Sequence, residues 1–289
     1  MTAAILAPAT TLDATGIADL AVTALRSEAD LTPKPGLVDG RGPGAHSDMS
    51  LALLHDSAES LRDAFTECAS TAMQSTPGPE LRARLGEIGR AGERVMLRAT
   101  GGVNTHRGAL WALGLLGAGV AIAGSATGAI DVAARLAQLP DPALGAAAVA
   151  TSNGARVRRR YGASGAAGEA QAGFPHVRLH ALPALRAARR SGADEASARL
   201  AALLSLMAHL DDTCLLHRGG QVGLTAVQEG ARAVLAAGGC RTPAGRHHFA
   251  ALDALCAAHR LSPGGSGDLL ATTLFLDALD ERSAAPCKL

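Results

Sequence analysis

Leu200-Ala201-Ala202-Leu203-Leu204-Ser205-Leu206-Met207-Ala208-His209-Leu210-Asp211-Asp212 decides the fold class. Leu200, Leu203, Leu204 and Met207 recur at spacings of three and four, the period of one helix face, and Leu51, Leu54, Ala58, Leu61 and Phe65 repeat it. Strand-type alternation is almost absent. Further helices are predicted over about 11–28, 79–98, 104–118, 128–138, 182–190, 220–237, 244–259 and 266–280. Breaks fall at Pro33 to Gly44, Pro77 to Pro79, Pro140 to Pro142 and the Gly-rich stretch from Gly154 to Pro175. The 289 residues include 64 Ala and 34 Gly but only one Trp, one Tyr and four Phe, so close-packed helices are favoured over sandwiches or aromatic stacking platforms. With no internal repeat or long linker, the expectation is a single compact all-α domain over 1–289, with Gly/Pro-rich active-site loops and residues 1–10 flexible.

Lys+Arg 27 against Asp+Glu 26 gives a net charge of +1, which argues against a charge-driven nucleic-acid binder. Ala109 to Ile130 carries no charge and is long enough to span a bilayer. Its five interior glycines, Gly114, Gly117, Gly119, Gly124 and Gly128, instead favour a buried core helix and its turn, so no membrane partner is expected. Cys68, Cys214, Cys240, Cys256 and Cys287 form no C-x-x-C pair, and the first twenty residues, with Asp13 and Asp19, lack the basic start of a secretory signal. Both point to a reducing cytoplasm.

Five polar segments join charged residues to helix ends. In the first, Pro33-Lys34-Pro35-Gly36-Leu37-Val38-Asp39, two prolines stiffen the loop that presents Lys34. Gly44-Ala45-His46-Ser47-Asp48-Met49 follows, and here Ser47 or Asp48 either caps a helix near Met49 or belongs with His46 to a phosphate or metal site. In the second, Thr100-Gly101-Gly102-Val103-Asn104-Thr105-His106-Arg107-Gly108, glycines let backbone amides close on an anion and Arg107 can fork onto phosphate, although no Walker loop is present. His106 could equally be a satisfied helix-start histidine. The third runs from Leu206 to Gly220. The apolar stripe continued one turn lands on Asp211, and with Asp212 this makes a hard-oxygen pair suited to Mg²⁺, or else a solvated helix end; Arg218-Gly219-Gly220 follows at a distance suited to a phosphate-binding turn.

The fourth segment is Ser262-Pro263-Gly264-Gly265-Ser266-Gly267-Asp268. Ser266 is expected to cap the last helix and Asp268 to lie in its first turn, where the dipole favours the anion; helix stabilisation is the alternative. The fifth, Tyr161 to Ala170, ends at Gly173-Phe174-Pro175 and places a single Glu169 in a glycine-rich loop, facing a site or plain solvent. Arg156, Arg158, Arg159 and Arg160 before it form the one dense basic run, a solvated face or a guide for an anionic substrate.

Taken together, from Glu28 to about Leu276, these segments resemble the triphosphoribosyl-dephospho-CoA synthase family, with wording closer to the malonate decarboxylase branch than to the citrate lyase branch. The resemblance implies a mostly helical, Mg²⁺-dependent pentosyltransferase. Such an enzyme joins ATP to 3′-dephospho-CoA, expels adenine and leaves the triphosphate on the transferred ribose. The product would pass to a phosphoribosyl-dephospho-CoA transferase and an acyl carrier protein. A homodimer is compatible with this. Under that reading Asp212, Asp268, Glu169 and His46 are catalytic, and Asp48, Asp211, Asp212 and Asp268 hold the metal. Substrate and phosphate fall to Lys34, Gly101, Gly102, Asn104, Thr105, His106, Arg107, Arg218, Gly264, Gly265 and Ser266. Three positions depart from the family pattern: Ala167 in place of Arg, Cys214 in place of Asn, and Gly267 in place of Ala. A metal-dependent ribosyl hydrolase and a nucleotide-binding assembly chaperone are the alternatives, and dependence on the acceptor separates the first of these from a synthase.

Overall fold

The computed structural model describes residues 12–143 and 153–284, so the expectation for residues 1–10, and Cys287, lie outside the described residues. Helices dominate. Among the described residues the sole extended pairing is a single bridge between Asp39 and Gly42. In chain order the helices are α1 (Ala14–Asp30), α2 (Leu51–Ser60), α3 (Arg62–Met73), α4 (Pro79–Ala99), α5 (Arg107–Ala123), α6 (Ala126–Gln138), α7 (Asn153–Tyr161) and α8 (Gly165–Gln171). A π-helical turn (Val177–Ala181) then runs into α9 (Leu182–Arg190), followed by α10 (Glu195–His209), α11 (Thr213–Ala236), α12 (Pro243–Ala258) and α13 (Gly264–Ala284).

Local chemistry sets most boundaries. Asp13, Ser50, Ser125 and Asp194 each accept a first-turn amide of the helix they precede, Pro79 starts α4, and Gly124 ends α5 in the left-handed region at φ 66°. The cap at Ser50 moves the start of α2 beyond Met49, so Ser47 and Asp48 stay in the preceding loop. The Gly-rich stretch expected as a break carries α7 and α8. The helix expected from residue 220 begins at Thr213 instead and kinks at Gly220, whose φ of 60° and ψ of −161° interrupt it.

The uncharged stretch is α5, buried on nearly every side and packed against α1, α3, α4, α6 and α13. Small residues make that central position possible. A Cβ at Gly119 would lie 2.4 Å from the carbonyl oxygen of Ala129, so α5 and α6 approach backbone to backbone. Among the described residues no helix is long and apolar enough to cross a membrane. The second half packs α10, α11 and α12 side by side, and α13 joins the halves by touching α1, α5, α10 and α11.

Gly119→Ala is expected to cost roughly 1–3 kcal/mol, because the added methyl meets backbone that cannot swing away. Urea unfolding checks it: an unchanged midpoint would mean that the α5/α6 contact has slack.

Candidate active site

The loop after α1 is rigid, but it turns Lys34 inward. Asp39 accepts the amide of Lys34 at 2.7 Å and that of Arg41 at 2.8 Å, and Arg41 bridges Asp39 to Asp253 on α12. Burial works against the Asp39 anion, yet the bonds from Arg41 and the Lys34 amide hold its pKa below the ordinary value. Gly36, at φ 69°, lies so close to Leu261 that a Cβ would stand 2.1 Å from its carbonyl oxygen. Lys34 is 1% exposed, and its Nζ donates to Glu28 Oε1 at 2.8 Å and to Glu28 O at 2.6 Å. The ammonium expected to meet phosphate is spent on the last turn of α1, because a buried charge needs a partner of opposite sign.

Three helix N-termini converge beyond this pair. Asp212, 1% exposed, accepts the amides of Cys214 (2.8 Å) and Leu215 (3.4 Å) at the start of α11. It also accepts the amides of Gly265 (3.2 Å) and Ser266 (2.8 Å) and the Ser266 hydroxyl (3.0 Å) at the start of α13. One carboxylate thus caps two helices and has little room for a metal ion. Burial nonetheless pushes its pKa above the ordinary value against the pull of these donors. Ser266, expected as the cap, sits inside the first turn of α13, which starts at Gly264.

Asp268 is different. It faces the amide of Ala109 in the first turn of α5 and packs on Gly108, where a Cβ would stand 2.2 Å from Asp268 Oδ2. Burial first, then the Glu28 carboxylate and more weakly Asp212, push its pKa well above the usual carboxylate value. The helix dipole, expected to favour the anion, is outweighed. Gly267 leaves space beside Glu28: a Cβ there would be 3.2 Å from Glu28 Oε1.

His106, 4% exposed, is held through Nδ1 by the Ser57 hydroxyl at 2.8 Å, and that hydroxyl lies 2.6 Å from Thr105 Oγ1. Its Nε2 has no partner among the described residues, and burial lowers its pKa to about 4, so the ring is neutral at pH 7. His46 is neutral as well. Arg218 donates to its Nδ1 at 3.1 Å, which leaves Nε2 to donate to Ser262 Oγ at 2.8 Å; burial and then Arg218 lower its pKa. Arg218 is tied by Ala45 O and Arg260 O while its side chain stays exposed. Arg107 pairs with Glu93, Asn104 accepts the Arg107 amide, and Gly101 and Gly102 are exposed with open space around them.

Other expected residues are placed apart. Glu169 is buried but belongs to a second cluster, accepting the His176 amide at 2.9 Å and His176 Nδ1 at 2.7 Å. This bond raises the His176 pKa against burial. Asp48 is 60% exposed at its side chain, 3.7 Å from His46 Nδ1. Asp211 is exposed too, not inward, because α10 ends at His209 and the extended Leu210 breaks the helical period; Asp212 takes the buried position. Among the described residues no three His, Cys, Asp or Glu side chains gather into a metal-holding group, so the four aspartates do not form one cluster.

Glu28 and Ser57, which bond Lys34 and His106, belong to this cluster and were not flagged by the motifs. Both lie on an apolar stripe, Glu28 after Ala21, Ala24 and Leu25, and Ser57 between Leu54 and Leu61. A polar residue on an otherwise inward face was the available signal.

The two central aspartates should respond oppositely to amide substitution. Asp212→Asn turns an acceptor of five hydrogen bonds into a mixed group facing donors and is expected to cost about 3 kcal/mol. Asp268→Asn removes a charge that the fold disfavours. The raised native pKa means that wild type loses stability as pH rises from the ordinary carboxylate value through the native one, so Asn should gain about 1 kcal/mol at pH 7 and less near pH 4.5. Urea melts of both variants at the two pH values check the signs.

A family model described as ATP:dephospho-CoA triphosphoribosyl transferase matches residues 14–287. The chain is 56% identical over 273 residues to a probable 2-(5″-triphosphoribosyl)-3′-dephosphocoenzyme-A synthase of Stutzerimonas stutzeri, covering 93% of each chain. It is 51% identical over 264 residues to the 2-(5″-triphosphoribosyl)-3′-dephosphocoenzyme-A synthase of Klebsiella pneumoniae, covering 90% of this chain and 93% of that one. No solved structure matches.

Proposed function

The chain belongs to the ATP:dephospho-CoA triphosphoribosyl transferase family, and from that premise we propose that the Glu28–Asp268 cluster is where the ribose of ATP is transferred to 3′-dephospho-CoA with loss of adenine. The observation that carries this reading is Asp268 itself, a half-buried carboxylate beside Glu28 and Asp212 that has, among the described residues, no basic side chain bonded to it. The fold pays a stability cost to hold it there, and a cation is the partner it calls for.

In the reaction the acceptor 2′-hydroxyl oxygen forms a bond to ribose C1′ while the C1′–N9 bond breaks and its electron pair leaves with adenine; the proton that the hydroxyl gives up ends on the released adenine. Positive charge builds on the sugar, and a fixed carboxylate pair opposes it without reorganisation. Lys34 balances one of the two charges and fixes Glu28 through both its carboxylate and its carbonyl. Asp212 acts through position: by capping α11 and α13 it sets where Asp268 stands on α13.

Mg²⁺ fits this donor set. Glu28 and Asp268 carry excess negative charge, and Mg²⁺ is commonly held by one or two carboxylates plus substrate phosphates. When bound it would offset triphosphate charge. Asp48 and Asp211, exposed elsewhere, are left out of that role. The triphosphate itself is assigned to the exposed Arg218 and to the open Gly101–Gly102 turn before α5. Downstream, the sequence of the Pro33–Met49 segment favours a product destined for the acyl carrier subunit of malonate decarboxylase.

Incubation with Mg·ATP and 3′-dephospho-CoA should release one adenine for each heavier CoA product, read by chromatography and mass. Without dephospho-CoA no adenine should appear; adenine released without acceptor would instead indicate a hydrolase. Asp268→Asn, folded and no less stable, should lose about a hundred-fold or more in kcat.

A further inference from the structure

His106 combines burial, fixed orientation and an unused hydrogen-bonding atom. Two other buried nitrogens lack a partner among the described residues, Arg82 Nε and Trp111 Nε1, but these belong to a pair in which the guanidinium lies 5.0 Å over the indole ring. Among the described residues the His106 ring has no such neighbour. Its Nδ1 is bonded to Ser57 and, through Ser57, backed by Thr105. Two hydroxyls thus hold the ring plane from behind, and Nε2 is left without a partner among the described residues. Buried polar nitrogens are nearly always paired, because an unmade bond in a dry interior is costly.

The position of the ring says what the missing partner is. His106 stands at the N-cap of α5 and makes no cap bond with its side chain. Two residues on, Gly108 lies against Asp268, and the ring feels the charges of both Glu28 and Lys34. It therefore borders the carboxylate cluster. A neutral imidazole beside the Glu28–Lys34 pair, whose ammonium is already bonded to Glu28, offers a phosphate no free positive charge. A hydroxyl, which can donate or accept, matches either tautomer.

We infer that His106 Nε2 makes a direct hydrogen bond to a ribose hydroxyl of the donor nucleotide, with Ser57 and Thr105 as positioning residues. This rests on the synthase reading and deepens it: His106 becomes a sugar-binding residue and not a phosphate ligand. The bond would hold the ribose with C1′ toward the carboxylates, which converts binding energy into orientation of the reacting carbon.

The test compares ATP with 2′-deoxy-ATP and 3′-deoxy-ATP, using adenine release with 3′-dephospho-CoA, in wild type, His106→Phe and Ser57→Ala. In wild type one of the deoxy nucleotides should show a kcat/KM about ten-fold or more below that of ATP. In His106→Phe that deficit should shrink to within about two-fold, because the partner of the missing hydroxyl is already gone. The intrinsic effect of a missing hydroxyl on the glycosidic bond is common to all three proteins and cancels in the comparison. Deficits that survive unchanged in His106→Phe overturn the inference, including the case in which His106 contacts adenine. Should His106→Phe fail to fold, Ser57→Ala decides, since it keeps the imidazole but frees its orientation: a clearly reduced deficit supports the bond, and an unchanged one overturns it. A wild type that releases no adenine at all strikes the synthase reading. A wild type that releases adenine with equal deficits in every variant strikes the His106 inference alone.

Discussion

The Asp212 carboxylate is the constraint on which the site depends. It accepts from the first turns of α11 and α13, segments more than fifty residues apart in sequence, and so fixes two helix starts with one side chain. Helix N-termini leave amides without partners, and a buried terminus needs an acceptor. Asp212 supplies it to both. Because α13 also packs on α1 and α5, the same anchor sets the relation of Asp268 to Glu28 on one side and to the first turn of α5 on the other. Electrostatics follow from this geometry. Partial positive charge from three helix ends accumulates where two carboxylates are to be kept buried.

That accumulation is incomplete. Glu28 is matched by Lys34, and Asp212 by five donors, but among the described residues Asp268 faces only the Ala109 amide. A side chain left so poorly balanced in a close-packed protein is a local violation of the rules that the rest of the chain obeys, and such violations concentrate where substrate completes the arrangement. The glycines around it are part of the same design. Gly108 and Gly267 remove the methyl groups that would otherwise press on Asp268 and Glu28. Gly264 and Gly265 lie against Cys214 and Asp212 in the same way. These glycines make room for side chains as well as for turns.

The helical class was legible from periodicity, because an apolar stripe at spacings of three and four leaves few other solutions. The cluster around Asp212 was legible in its members more than in its geometry. Asp212 and Asp268 are central, but the period counted through Met207 placed Asp211 inside, since nothing in the local pattern showed that Leu210 turns extended and ends the helix. Lys34 illustrates a second limit. Two flanking prolines predict a stiff loop, and the loop is stiff, but the direction of the side chain depends on Glu28 six residues earlier. Glu169 failed to join the others for a related reason: its partner, His176, sits across a turn whose course no spacing rule anticipates. Glu28 and Ser57 carry a signal of their own, a polar residue on a buried stripe, which no motif contains.

The three departures from the family pattern now have surroundings. Gly267 enlarges the space beside Glu28 Oε1, where an Ala methyl would stand at 3.2 Å, a contact the neighbouring carboxylate can yield to. Cys214 sits against Gly264 at the start of α11, and burial, then the nearby Asp212, push its thiol pKa up, so it packs as a small neutral group. Its amide, which bonds Asp212, does not depend on the side chain. Ala167 stands on α8 two residues before Glu169, in the cluster that the Glu28–Asp268 pair does not include. The near-zero charge of the whole chain therefore conceals an uneven interior, in which buried carboxylates are matched, overmatched or left open one residue at a time.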